Sequence, residues 1–458
     1  MRLLIVDPPG HGLDFAIRAQ NAGHEVKLAI RQDEKTKHIG RGFCEVVPDH
    51  KPWLRWANLI VCTDNSLYLR DLDQHRKEGG TIIAPSQEAA SWELDRKLGQ
   101  DVFRKAGVDI AVSKEFHSYD DAIAFVKKTM GRFVSKPCDD ANADKALSYC
   151  SSGPDDMVYM LERWKRSNKL KGSFILQEFV SGIEMGAAGW FGPHGFNDCF
   201  EECFEFKKLM NGECGPATGE QGTVMRYVRN SKLANKVLLP LTKQLEKLNY
   251  VGDVAVNCII DEKGKPWPLE FTMRLGWPAF QLQCALLKGD PVEWLHDLAM
   301  GRDARPFFLD QVAIGVVLSV PDYPYSRLTR KEVVGIPLFG VTPGLMKHLH
   351  PCELMVGEAY CSVGPFDHPS TSAQGSGQLL KMPVPMTAGD YVLVMTATGT
   401  TVQDTRRKVY RRLEQVKKRM PGSPMYRTDI GLRLGKQIPQ LQAMGYAKGL
   451  TFSLLPNS

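Results

Sequence analysis

The chain has 458 residues, 43% hydrophobic and 24% charged, the balance of a globular protein of about two to four structural units. Lys and Arg number 58 against 52 Asp and Glu, a net charge of +6 spread along the chain; this suits phosphorylated small molecules and offers no basic platform for nucleic acid. No stretch approaches the roughly 20 apolar residues of a membrane span, the opening MRLLIVDPPGHG is too short for a signal-peptide core, and the 11 cysteines include no CxxC pair, so a cytoplasmic protein with neither membrane contact nor a zinc site is expected.

Residues 1 to about 105 alternate strand and helix. RLLIVD reads as a buried strand and GLDFAIRAQNAG as an amphipathic helix stopped at Gly23. HEVKLAI, WANLIVCT and GGTIIAPS read as further strands. Strands separated by helices predict a parallel sheet covered on both faces. The loop DPPGHG lacks the third glycine of a dinucleotide fingerprint, Phe15 standing in its place. It reads as a sharp turn, with a phosphate still conceivable at the helix N-terminus that follows. SQEAASWELDRKLGQDVFRKAGV reads as one helix capped by Ser86, followed by DIAVSKEF and the helix DDAIAFVKKTM, with a new unit starting near residue 107. RFVSKP is a strand ending in Lys136, SFILQEFVSGIE a strand that breaks at Ser181, and KLANKVLLPLTKQLEKLNY one long amphipathic helix. From about residue 312 strands return as VAIGVVLSV, GIPLFGV, KHLHPCELMVGEAYCSV and DYVLVMTATG, with HPSTSAQGSGQ as a mobile loop. The basic helix TVQDTRRKVYRRLEQVKKR follows, its cations reading as a solvated face.

GDVAVNCIIDEKGKPWPLEFTMR predicts a hairpin with turn DEKGK and arms 253–260 and 266–274. On the second arm Glu270, Thr272 and Arg274 share one face, opposite Leu269, Phe271, Met273 and Leu275. If this polar face coincides with that of the first arm, one surface gathers Asp253, Asn257, Glu270, Thr272 and Arg274. Periodicity alone leaves two readings open. One is a solvent-facing hairpin. The other is a magnesium–polyphosphate site, where hard oxygens hold the metal and a guanidinium neutralises a transferring phosphoryl group. Lys136 before the polar loop CDDANADKA, and LQEFVSGIE further on, are each ordinary alone.

In order along the chain, these pieces resemble the ATP-grasp superfamily and, within it, the glycinamide ribonucleotide synthetases. The resemblance runs almost the whole length, through APSQEAASWELDRKLGQDVFRKAGV, FVSKP, LQEFVSGIE, KKLMNGECGPATGEQG, PLEFTMRLGWP, AIGVVLSVPDYP and TATGTTVQDTRRKVY with YRTDIG. It implies an α/β and α+β multidomain protein: an N-terminal parallel-sheet domain at 1–106, an ATP-grasp domain at 107–311 with a lid at about 112–180, and a mixed C-terminal domain at 312–458. It implies that Lys136 and Lys145 contact ATP phosphates, that Gln177, Glu178, Phe179 and Val180 border the base, and that Glu184 meets the ribose. Glu270, Thr272 and Asn257 would hold Mg²⁺, with Mn²⁺ as the alternative ion. Arg274 and Lys207 would be catalytic, and Gly215, Pro216, Thr218, Gly219 and Gly276 would line the substrate.

The implied reaction is ATP-dependent amide formation through an acyl phosphate. The partners are a small carboxylate (glycine or another amino acid) and a small amine (phosphoribosylamine or another), in a monomer or homodimer. The alternative is a non-catalytic descendant that binds nucleotide or a partner protein. Departures from the pattern cluster on the substrate side. Thr272 stands where the family has Asn, Gly276, Trp277, Pro278 and Ala279 where it has Gly-Asp-Pro-Glu, and Gly219, Glu220, Gln221 and Gly222 where it has Gly-Gly-Met-Gly. The loop CDDANADKA has no glycine. A changed amine or acid is therefore expected on a retained ATP framework.

Overall fold

The computed structural model describes residues 1–138, 148–167, 172–302, 308–325, 332–363 and 378–454. The first sheet holds β1 (Arg2–Val6), β2 (Glu25–Ala29), β3 (Glu45–Val47), β4 (Leu59–Cys62) and β5 (Ile82–Ile83), in the order β3-β2-β1-β4-β5. Every pairing is parallel, as continuous apolar strands with helical crossovers require. Helices α1 (Leu13–Asn21) and α2 (Leu69–Lys77) carry two of the crossovers. β3 has only three residues, too few to show a period, and the sequence pattern does not announce it.

The segment expected as one helix after Ser86 is two, α3 (Gln87–Leu94) and α4 (Arg96–Lys105). Ser86 caps the first by accepting from the Ala89 N–H. Asp95 leaves the helix and caps the second by accepting from Lys97 and Leu98, a short acid outcompeting the helical ladder for its own backbone. The long helix expected at 232–250 is likewise divided, into α7 (Lys232–Val237) and α8 (Thr242–Lys247). The single turn Leu239–Leu241 lies between them, with Pro240 inside it, where no N–H is available.

A second sheet of β6 (Ser113–Phe116), β7 (Phe133–Pro137), β8 (Tyr149–Cys150) and β9 (Phe174–Glu178) runs in the order β6-β9-β7-β8. Helices α5 (Tyr119–Thr129) and α6 (Pro154–Arg166) pack with it around Phe116, Phe133, Leu161, Trp164 and Phe174. The loops holding Lys145 and HPSTSAQG lie outside the described residues.

The third sheet has eight strands. β10 (Ile183–Gly192), β11 (Gly195–Met210), β12 (Cys214–Val228), β13 (Gly252–Ile260) and β14 (Pro266–Thr272) are joined by β15 (Val312–Ser319), β16 (Leu349–Pro351) and β19 (Tyr391–Gly399). Their order is β14-β13-β10-β11-β12-β15-β19-β16. One sheet thus continues across residue 312, through Gly222↔Val316 and its neighbours. GIPLFGV, expected as a strand, forms turns around the single bridge Pro337↔Met386. KHLHPCELMVGEAYCSV divides between β16 and β17 (Leu354–Val363), the latter pairing with β18 (Gln378–Thr387) in a separate hairpin. Helices α9 (Ala279–Leu286), α10 (Pro291–Ala299), α11 (Pro343–Met346), α12 (Val402–Lys417) and α13 (Leu434–Ala443) complete the described elements. On α12 the cations are only partly solvated: Arg406, Lys408 and Arg412 each donate to backbone carbonyls. Among the described residues no helix is long and apolar enough to cross a membrane.

Asp253 does not join the polar face of its hairpin. It is buried, and Gln283 of α9 donates to both Asp253 Oδ2 and Glu201 Oε2 at 2.9 Å. Burial pushes both carboxyl pKa values up, and their mutual repulsion adds to the rise for Glu201. The folded state therefore keeps a proton that the unfolded chain releases above a carboxylate's usual pKa of about 4, so this pair costs stability as pH rises from there toward its raised folded values. Thermal melts should show the wild type losing stability from about pH 4 to 8 by up to about 1.4 kcal/mol per pH unit per retained proton. Asp253→Asn should flatten that slope; an equally steep slope in the variant would contradict the assignment.

Candidate active site

β13 and β14 pair in a register that sets Asn257 against Glu270 and Ala255 against Thr272. Both polar positions therefore lie on one face, with a bulge just beyond Asn257. The opposite face of β14 is not solvated. Phe271 stacks on Phe103 of α4 at 4.0 Å between centroids and lies near Trp92 of α3. The solvent-facing reading of this hairpin thus gives way to a sheet edge gripped by two helices.

Asn257 Nδ2 donates to Glu205 Oε2 of β11 at 2.9 Å, although β10 runs between their strands. The crossing is possible because Gly186 of β10 pairs with both Asn257 and Cys203. A Cβ on Gly186 would come within 2.6 Å of Asn257 Oδ1 and 2.5 Å of Cys203 Sγ. Gly182, just before β10, is fixed for a similar reason: its Cβ would meet the Ile260 carbonyl at 2.1 Å.

The Lys207 ammonium of β11 sits among three carboxylates, 3.1 Å from Glu205, 3.2 Å from Glu270 and 3.3 Å from Glu184. Arg96, at the start of α4, reaches the other oxygen of Glu270 at 3.2 Å. Lys207 first, then Arg96 and Lys136, hold the Glu270 pKa far below the carboxylate range against the effect of burial. Burial works against the charge on Lys207, yet Glu205, Glu270 and Glu184 together drive its pKa well up. Among the described residues Lys136 of β7 has no carboxylate partner at contact distance; it donates to Gln177 Oε1 at 3.1 Å. Burial, then Arg96, lower its pKa to about 8.

The remaining expected residues divide between this cluster and its surroundings. Glu178 N–H donates to Val112, and Phe179 N–H to Arg132, whose guanidinium covers the Phe179 ring at 3.4 Å. Val180 is half-buried beside them. Glu184, expected at a ribose, turns its carboxylate to Lys207. The segment expected as a substrate loop is the end of the β11–β12 hairpin, with Gly215, Pro216 and Gly219 near its tip. That tip is fastened by Arg427 and Arg433, which grip Glu213 at 2.8 and 2.9 Å. Thr218 donates to the Lys207 carbonyl at 2.8 Å.

Arg274 follows β14 and stands 3.4 Å from Glu93 of α3, whose other oxygen accepts from Met273 N–H at 2.8 Å. Gly276 accepts from Phe280 N–H as α9 begins. Next to them, the His11 ring lies 5.6 Å from Trp277 and 5.9 Å from Tyr391.

No family model matches the sequence. The phosphoribosylamine–glycine ligase of Salmonella typhimurium is 24% identical over 386 residues, 82% of this chain and 82% of that one. The crystal structure of phosphoribosylamine–glycine ligase from Thermotoga maritima superposes with a TM-score of 0.70 at 19% identity, covering 94% of this chain and 100% of that chain. The biotin carboxylase domain of 2-oxoglutarate carboxylase from Hydrogenobacter thermophilus, solved with MgADP and bicarbonate, gives a TM-score of 0.58 at 13% identity, covering 93% and 91%. The chain has the ATP-grasp fold. Along most of its length it resembles the phosphoribosylamine–glycine ligases.

Of the expected residues the structure brings Glu184, Lys207, Asn257 and Glu270 together, with Lys136 and Arg274 at their margins, and three of their partners were not expected. Glu205 alternates with Lys207 on one strand, a signal at hand in the sequence. Arg96 and Glu93 meet β14 across more than 170 residues of chain, and no local pattern reports such a contact. The oxygens of Glu270, Glu205 and Glu184 already surround one cation, and Asn257, donating through Nδ2, keeps Oδ1 as an acceptor. Among the described residues no group of three or more His, Cys, Asp or Glu is spaced to hold a metal ion by itself; Glu270 with the free Asn257 Oδ1 supplies the one or two hard oxygens that Mg²⁺, keeping its waters and substrate phosphates, takes from a protein. Gly186→Val should displace Asn257 and cost on the order of 1–3 kcal/mol of stability, read as a lower melting temperature. In that background Asn257→Ala should cost almost nothing further; full additivity would argue against the crossing contact.

Proposed function

We propose that the chain is an ATP-dependent carboxylate–amine ligase that forms an amide through an acyl phosphate, using Mg²⁺ or Mn²⁺, in the manner of the phosphoribosylamine–glycine ligases it resembles. The observation carrying this reading is the Lys207 ammonium held by Glu184, Glu205 and Glu270, with Lys136 and Arg96 beside it. Such a site concentrates cations and hard oxygens, which phosphoryl transfer uses, and no side-chain nucleophile is required.

Glu270, Asn257 and Thr272 would hold the metal, which when bound neutralises charge on the triphosphate. Lys136 supports the phosphates, with Gln177 fixing its ammonium from the β9 side. A substrate carboxylate oxygen attacks the γ-phosphorus; the new O–P bond forms as the bond to ADP breaks. Arg274, oriented by Glu93, meets the carboxylate and then the acyl phosphate. An amine nitrogen attacks the acyl carbon, phosphate leaves with the C–O bonding pair, and the amine gives up a proton. Gln177, Glu178, Phe179 and Val180 border the adenine in this reading, and Thr218 and Gly219 border the acid and amine. Small-molecule amines and carboxylates are the partners.

The deciding experiment is phosphate release from Mg·ATP with glycine or another amino acid and an amine present, with Glu270→Ala as the blank. Release in the wild type and its loss in the variant, nucleotide binding being retained, is the expected outcome. Binding without turnover under every pairing would leave a nucleotide-binding protein instead. The Lys136 pKa near 8 adds a pH prediction: below it the ammonium is charged and attracts phosphate, above it the charge is lost. Wild-type kcat/KM for Mg·ATP should fall as pH rises through about 8, whereas Lys136→Arg, charged throughout, should give a flatter profile.

A further inference from the structure

The mouth of the first sheet lies beside the segment after β14, where the His11 ring stands 5.6 Å from that of Trp277. β1 ends at Val6, Asp7 follows it, and the chain turns through Gly10, His11 and Gly12 into α1. A helix start preceded by successive free amides is a common phosphate cradle. Here the cradle is filled from within. Gly10, His11 and Gly12 donate their N–H groups to the Asp7 carboxylate at 3.2, 2.9 and 2.6 Å, and the Thr63 hydroxyl adds a fourth bond at 2.6 Å. Asp7 is 0% exposed, so its carboxylate is enclosed with those donors.

The surroundings do not favour a dianion either. Asp14 follows in the first turn of α1, paired with Arg18 and hydrogen-bonded to the His350 ring at 2.7 Å. Burial, then Arg274, lower the His11 pKa to about 4, so at neutral pH the ring adds no positive charge. Where the loop approaches Arg274 the wall is made of half-buried rings: His11, Trp277, Tyr391 and Tyr323, the last two 5.7 Å apart. The Trp277 indole N–H is buried without a partner.

We propose that the amine accepted at this site carries no phosphoryl group, because Asp7 occupies the anion cradle of α1 and the adjoining wall is aromatic. The proposal rests on the ligase reading and narrows its substrate: an uncharged or singly charged amine with an apolar or planar portion to meet the rings and an oxygen to accept from Trp277. This would separate the chain from a phosphoribosylamine acceptor while leaving the ATP half untouched.

Calorimetry tests the cradle without turnover. The wild-type protein, loaded with Mg²⁺ and a non-hydrolysable ATP analogue to fill the nucleotide phosphate sites, is titrated with ribose 5-phosphate and with ribose. No preference for the phosphorylated sugar is expected; a preference of tenfold or more in Kd, about 1.4 kcal/mol, would overturn the proposal. Asp7→Gly, which empties the cradle, should gain that preference; if it does not fold, the wild-type titration decides alone. The ligase reading is tested apart from this, by ATP-dependent hydroxamate formation from glycine and other amino acids with hydroxylamine. Phosphoribosylamine generated in the same mixture should not suppress the hydroxamate, and suppression would count against the proposal. Absence of any hydroxamate would sink the ligase reading alone, with the titration still reporting on the cradle.

Discussion

Three carboxylates from three different strands converge on one ammonium, and the geometry of the large sheet is organised by that meeting. Glu184, Glu205 and Glu270 would repel one another at such separations; Lys207 is what lets them share a face. Holding them there demands that β10, β11, β13 and β14 keep their register, since a slip of one residue would turn each carboxylate to the other side of its strand. It demands glycine at 186, so that Asn257 can cross β10 to steady Glu205, and at 182, so that β10 can start against Ile260. The site is therefore a property of the sheet rather than of any one loop, which gives it the rigidity that positioning catalysis needs.

The same sheet carries a second set of acids with the opposite solution. Glu201 of β11 and Asp253 of β13 lie on either side of β10, but their shared partner is the neutral amide of Gln283. Without a cation, burial drives their pKa values up; with one, the Glu270 pKa is driven down. The contrast explains why Asp253 and Asn257, on one face of one strand, belong to different structures: α9 covers the first, while the second opens toward Lys207.

Much of this was readable in advance. The parallel sheet, the hairpin with arms at 253–260 and 266–274, and the polar face of Glu270 and Thr272 follow from period and turn chemistry. What was not readable has a common cause. The break at Asp95 depends on one side chain capping the helix that follows it, and the break at Pro240 on a missing donor within an otherwise apolar run. Arg96, Glu93 and Gln283 act on strands far away in sequence, where only the packing of α3, α4 and α9 sets the distance. β3 and β16, of three residues each, are strands by their neighbours' hydrogen bonds and not by their own pattern.

The division of the site between elements bears on how such a chain changes its substrate. The ammonium–carboxylate cluster is built by adjacent strands and two helices whose contacts are mutually dependent, so replacing any charge exposes the others. The acceptor wall is assembled from His11 in the first loop, Trp277 after β14, and Tyr323 and Tyr391 from beyond residue 312. These side chains meet as partly exposed rings, without a shared charge to balance, and each stands at the end of an element whose core lies elsewhere. Substitution there alters shape and hydrogen-bonding capacity at small cost to folding, whereas discrimination between substrates depends on those very groups. Continuity of the large sheet through β12 and β15 keeps Tyr391 in place while the ring itself is free to vary. A change at such rings disturbs folding less than a change within the ammonium–carboxylate cluster, and the proposal of a non-phosphorylated amine rests on residues of the first kind, Trp277 among them.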